Sequence, residues 1–256
     1  MSHNYDTSTY AADPASTPRS IDSPDSLSPV SKAAFAQQRQ FTADAAHELR
    51  TPVAVIITQT QLALSRDRAA ADYKVTVEAC QRAAQRMRRL IESLLELARF
   101  DAGQENLKHV AFEVTATVNE AMQLVQPLAE QQEVKLVAEL TPLQITGDPE
   151  RIGQVLLNLL TNAIQYNRKG GEVRVGVRAA NGLAEILVAD SGPGIPPEDL
   201  PRVTERFYRA DKSRSTGGSG LGLSICQAIV TAHGGTLEIK SEPGKGTIAY
   251  VRLPLR

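Results

Sequence analysis

An exposed neutral imidazole is a nucleophile, and a neighbouring carboxylate that accepts the proton on its second ring nitrogen holds the useful tautomer. His47 and Glu48, in the stretch FTADAAHELRTP (41–52), supply such a pair. Read as a helix, Phe41, Ala45 and Leu49 recur every fourth residue and make an apolar stripe, while His47 lies about 200° from Ala45 and Leu49. His47 therefore points to solvent. Thr51, four residues on, shares its face, and Pro52, which has no backbone N–H to donate, is expected to kink the helix just beyond. By contrast, His109 and His233 border predicted strands or a glycine turn and read as structural.

A second set of residues suits a nucleotide. Asn158 and Asn162 are four apart, so they stack on one helix face at the edge of its apolar stripe. A carboxamide oxygen there is a neutral hard ligand that can hold Mg²⁺ while leaving positions for water and phosphate. Tyr166 lies near the other edge, where it could flank a base. In DSGPGIPPED (190–199), Asp190 ends a buried strand and can accept a hydrogen bond from an exocyclic amine. Gly192 and Gly194 would let the backbone approach a flat ring. GGSGLGL (217–223) opens straight into a helix, so backbone N–H groups and the helix N-terminus face an anion such as a triphosphate. Between these lies ERFYRADKSRS (205–215), the composition of a mobile lid, with Arg209, Lys212 or Arg214 available to phosphate. Taken singly, each has a plainer reading as polar surface, glycine turn or solvated loop.

The elements that must position these groups fall into three parts. Residues 1–30 are rich in Ser, Pro, Asp and Thr and bury too little to offset ordering entropy, so they are expected to be disordered. Residues 31–103 read as two helices, to Leu64 and from Tyr73 to about Asp101, whose apolar stripes make a hairpin. A hairpin alone buries little, and a second copy would complete a four-helix bundle about a two-fold axis. Residues 107–256 mix helices and strands: a helix from Phe112 to Gln132, strands at 134–140 and 143–148, and a helix capped by Asp148 and Pro149. Two hairpins come next, one turning at Asn181–Gly182 and one at PGKG, with a helix at 221–233 between them. The order is not a regular βαβ repeat, so the expected architecture is a mainly antiparallel sheet with helices on one face.

Composition narrows the partners. Net charge is −1 and hydrophobic content 42%, which gives no signal for nucleic acid or an acidic membrane surface. Cys80 and Cys226 both sit in helical patterns, consistent with a reducing cytoplasm. No run approaches the roughly 18 apolar residues of a membrane span. Aromatics are 4% and tryptophan is absent, so the core must be aliphatic.

Together, in this order and spacing, the motifs resemble the sensor histidine kinases of bacterial two-component systems, from about residue 33 to the C-terminus. FTADAAHELRTP resembles the family's phosphoacceptor box, NLLTNA (158–163) its asparagine box, DSGPG and GGSGLGL its glycine boxes and ERFYR its phenylalanine box. The resemblance implies an α+β chain: a helical hairpin forming a dimeric four-helix bundle, then an α/β sandwich ATPase domain of the gyrase, Hsp90 and histidine-kinase type. It implies ATP-dependent phosphorylation of His47 with Glu48 as polarising base, then transfer to an aspartate of a response regulator. Thr51 would orient a water for dephosphorylating that regulator. Asn158 and Asn162 would hold Mg²⁺ and phosphates, Asp190 would read adenine, and Tyr166, Gly192, Gly194, Arg209, Gly218, Gly220, Leu221 and Gly222 would line the ATP site or its lid. Gln165 departs from the pattern, since many relatives carry a lysine or arginine there; Arg168 or Lys169 could supply that charge. A nucleotide-switched scaffold or phosphatase with little kinase activity is the alternative this departure supports. The chain reads as cytoplasmic, alone or as the cytoplasmic part of a membrane-bound sensor.

Overall fold

The computed structural model describes residues 29–210 and 218–255. Helix α1 runs Pro29–Leu64 and α2 Ala70–Asp101, so the expected hairpin forms, with α2 starting three residues before the expected Tyr73. Pro52 lies inside α1 without ending it. The chain divides into two compact units, the first ending at Ala43 within α1; the rest of the hairpin and the α/β domain make up the second, from Asp44 onward. The expectation of disorder at 1–30 falls almost wholly outside the described residues. Among those residues no helix is long and apolar enough to cross a membrane.

The expected helix from Phe112 is corrected at its start. Val110–Glu113 form strand β1, antiparallel to β3 (Gln144–Gly147), and helix α3 begins only at Val114 and ends at Gln131. VAFE fits either period over four residues, so its pairing with a distant strand decides the matter. Strand β2 is Lys135–Leu140 and helix α4 is Pro149–Gln165. Asp148 caps α4, its carboxylate accepting from the N–H groups of Glu150 and Arg151.

Strands β4 (Glu172–Ala180), β5 (Leu183–Asp190), β6 (Thr236–Glu242) and β7 (Gly246–Pro254) join β2 in a five-stranded sheet of order β2-β4-β5-β7-β6. Only β2 pairs in parallel with its neighbour, β4. The β4–β5 turn has positive φ at both Asn181 (52°) and Gly182 (75°), the conformation that matches the strands' twist. Val173, Val175, Val177, Ile186, Val188 and Val251 alternate onto the inner face and are buried against α3, α4 and helix α5 (Gly222–Ala232). On the other face Glu185 is held between Arg178 and Arg252. Leu90 and Leu97 of α2 belong to the same core as the sheet and its helices, so α2 packs against this domain. Arg151 strengthens that contact, donating to Glu96 at 2.7 Å and to Glu105 at 2.9 Å. Arg206 reaches Asp101 through both guanidinium nitrogens.

Candidate phosphoacceptor and nucleotide sites

His47 is exposed on α1, and Ala45 and Leu49 are half-buried, the disposition their spacing requires. Leu49 packs against the domain core. Thr51 is exposed one turn beyond His47 and Pro52 is buried. Glu48 departs from expectation: its Oε2 accepts from Arg86 of α2 at 3.1 Å, not from the neighbouring imidazole. Successive helix residues diverge by about 100°, which sends Glu48 into the groove between the helices and His47 outward.

Helix α4 is fixed at its start by a dense set of bonds. Besides its two cap donors, Asp148 accepts from the Lys108 N–H at 3.0 Å. Burial raises the carboxyl's pKa, but these three N–H groups outweigh it and hold the group below the usual carboxylate range. The Asp148 N–H donates to Nε2 of His233, whose Nδ1–H donates to the Ile229 carbonyl. Both ring nitrogens are thus used inside the fold, the structural role expected of His233; His109 is instead exposed. From this cap α4 presents Asn158 and Asn162 one turn apart, both half-buried. The Asn162 carboxamide has no protein partner among the described residues, which fits a ligand-facing group. Gly222 opens α5 beside Asn158: a Cβ there would lie 3.8 Å from Asn158 Oδ1.

Asp190 ends β5 with Oδ1 accepting from Gly192 N–H at 2.8 Å and from Thr247 N–H at 3.2 Å. Oδ2 has no protein donor among the described residues. Burial raises the carboxyl's pKa and the two N–H groups oppose it, leaving a net upward shift. One oxygen braced and one left over fits recognition of an exocyclic amine. The glycines of this loop are also required by close contacts inside the protein. A Cβ on Gly192 would lie 2.8 Å from both Asp190 Oδ1 and the Tyr166 carbonyl, and one on Gly194 (φ 75°) would strike the Glu242 carbonyl at 2.1 Å. Both positions let other parts of the protein's own backbone approach closely. Ser191 and Asn167, which sequence reasoning missed, brace the same loop: Ser191 Oγ donates to Asn167 Oδ1 at 3.3 Å and accepts from Glu172 N–H at 2.9 Å.

Gly220 (φ 72°) pinches against Phe207, whose N–H donates to the Gly220 carbonyl at 2.9 Å. Gly218 and Arg209 are half-buried nearby in sequence, whereas Lys212 and Arg214 lie outside the described residues. Leu221, at the start of α5, is fully buried in the core. Tyr166 is 36% exposed at the end of α4, open enough to flank a base. Gln165 is exposed, and Lys169 is paired with Glu133 at 2.8 Å, whereas Arg168 has no ion pair among the described residues.

Residues 37–103 match the family described as His Kinase A (phospho-acceptor) domain, and 147–256 the family described as Histidine kinase-, DNA gyrase B-, and HSP90-like ATPase. The sensor histidine kinase CusS of Escherichia coli is 35% identical over 222 residues, which are 86% of this chain and 46% of that protein. The chain spans about half the length of the curated relatives it matches. The solved mycobacterial sensor histidine kinase MprB is 33% identical with a TM-score of 0.52, over 58% of this chain and 98% of its own. The histidine kinase ThkA shares the fold at a TM-score of 0.70 and 22% identity, over 88% of this chain and 64% of that one. With an exposed histidine on the hairpin and an ATPase fold behind it, the chain belongs to the sensor histidine kinases of two-component systems.

Proposed function

We propose that the chain binds ATP between α4, the Asp190 loop and the start of α5, and transfers the γ-phosphoryl group to His47. From there an aspartate of a response regulator takes it. The observation that carries this reading is the occurrence, in one chain, of an exposed histidine on a helical hairpin and a half-buried carboxylate with one braced oxygen at the end of β5. In the transfer a ring nitrogen of His47 attacks phosphorus, the bond to the bridging oxygen breaks, and ADP leaves. Phosphoryl transfer asks little covalent work of the protein, so these residues act by positioning and charge. Asp190 and Tyr166 orient the base, and the N–H groups at the start of α5 face the phosphates. Mg²⁺ held by the carboxamide oxygens of Asn158 and Asn162 would neutralise phosphate charge. Thr51 would orient water when the same hairpin face dephosphorylates the regulator.

The hairpin pairs with a second copy through its exposed apolar positions, as expected of a phospho-acceptor domain of this family. The ThkA structure was solved with a response regulator protein, which supports the choice of partner. ATP and a soluble regulator as reactants make the cytoplasm the expected compartment. The test is incubation with γ-labelled ATP: label should be acid-labile and base-stable. His47→Gln should abolish it while ATP affinity stays within about twofold. Label persisting in that variant, on His109 for instance, would refute the assignment.

A further inference from the structure

Glu48 and Arg86 join the two helices of the hairpin. The Arg86 guanidinium donates to Glu48 Oε2 at 3.1 Å, and the side chains are 34% and 29% exposed. His47, one residue before Glu48, has no protein partner among the described residues. A carboxylate that polarises an imidazole must lie against one of its ring N–H groups. Here it lies in the interhelical groove on a cation, so it must leave Arg86 before it can serve His47.

We propose that Arg86 is a positioning residue that restrains phosphorylation of His47 by holding Glu48 off the imidazole. The proposal rests on the reading of Glu48 as the polarising base. In the active arrangement Glu48 exchanges Arg86 for a ring N–H of His47 and accepts that proton's hydrogen bond as the other nitrogen attacks phosphorus. Arg86 gives up one ion pair and makes no bond to the reacting atoms. A half-exposed pair is a weak restraint, and a weak restraint is adjustable. It sits on α2 about ten residues, or about 15 Å, before Glu96, where the same helix is tied to the nucleotide-binding domain through Arg151. A small rotation of α2 against α1 would suffice to part the pair.

Four variants of the full chain test this: Arg86→Gln, Arg86→Lys, Glu48→Gln and the double variant Arg86→Gln/Glu48→Gln. The measurement is the initial rate of acid-labile labelling at saturating ATP, with KM for ATP taken alongside. Arg86→Gln should raise the rate about two- to fivefold, the population shift such a pair can exert, with KM unchanged. Arg86→Lys should keep the restraint, Glu48→Gln should label poorly, and the double variant should show no gain over Glu48→Gln. A rate in Arg86→Gln equal to or below the parent's, with Glu48→Gln poor, would overturn the restraint while leaving Glu48 its role. Normal labelling by Glu48→Gln would remove the base reading and this proposal together. A purely structural Arg86 would slow labelling on substitution, so a gain cannot arise from damage to the fold.

Discussion

The α/β domain and the helical hairpin treat their apolar residues in opposite ways. Leu156, Leu160, Ile186 and Ile229 are less than 2% exposed, sealed between sheet and helices of the same chain. On the hairpin, Val53, Ile57 and Leu64 share one face of α1 yet are 38%, 49% and 85% exposed, and Val77 of α2 is 66% exposed. Exposed aliphatic residues repeating along a helix face mark a surface that something covers. The α/β domain thus closes its core within the chain, while the hairpin leaves an apolar face open, as the proposed pairing with another copy requires. On that proposal pocket geometry is a property of the folded chain, and access to His47 a property of an assembly.

The contrast can be broken most forcefully at its two extremes. Leu156→Ala should cost about 2–5 kcal/mol in urea unfolding followed on the α/β domain and take ATP binding with it. Ile57→Glu should instead convert dimer to monomer in sedimentation with ATP affinity within about twofold. Loss of ATP binding in Ile57→Glu would show the two halves to be one cooperative unit.

Next in size is Asp190→Asn, which offers adenine a donor where an acceptor is needed and should weaken ATP binding by roughly 1–3 kcal/mol in calorimetry. Its effect on the unliganded fold should have the other sign. Burial raises the Asp190 carboxyl's pKa, so its contribution to stability is full below the unfolded value of about 3.9 and is lost as pH rises through the folded value. At neutral pH the variant should therefore melt no lower than the parent. A lower melting temperature with unchanged ATP affinity would make Asp190 a structural residue.

Glu185, at the other end of β5, sharpens the comparison within one strand. Burial alone would raise its pKa, but Arg178 and Arg252 outweigh burial and lower it. Its stabilisation is therefore present above the unfolded value of about 4.3 and lost as pH falls through the folded value. Glu185→Gln should be less stable than the parent at pH 7, by less than Leu156→Ala, and the gap should close in melts below pH 4. A gap independent of pH would mean that packing, not charge, is what the residue contributes.

Thr51→Ala should have the smallest effect on folding, within about 0.5 kcal/mol, since the site is exposed and alanine is the better helix former. Autophosphorylation should run at near the parent's rate while phosphorylated regulator outlives its decay with the parent in the presence of ADP. Equal decay would reduce Thr51 to a helix-surface residue.

Much of this was legible in the chain because it depends on neighbours. Asp148–Pro149 announced the start of α4, Asn181–Gly182 the β4–β5 turn, and alternating valines the buried face of β4. The spacing of Ala45, His47 and Leu49 placed the imidazole outside, and that of Asn158 and Asn162 placed both amides at the margin of the core. VAFE was not legible as a strand, because four residues carry no period and β1 exists only through its pairing with β3.

What the sequence determined by itself is which side chains share a face, where helices begin and which residue types could do chemistry, since these come from spacing and capping along a few residues. Tertiary structure alone decided which groups meet. Thr247 of β7 completes the hold on Asp190 from 57 residues away, and Glu48 turns to Arg86 from 38. Leu221 sinks into the core, and Gly194 yields to the Glu242 carbonyl. Each of these rests on the register of strands or the packing of helices far apart in the chain, and short-range periodicity carries no information about either.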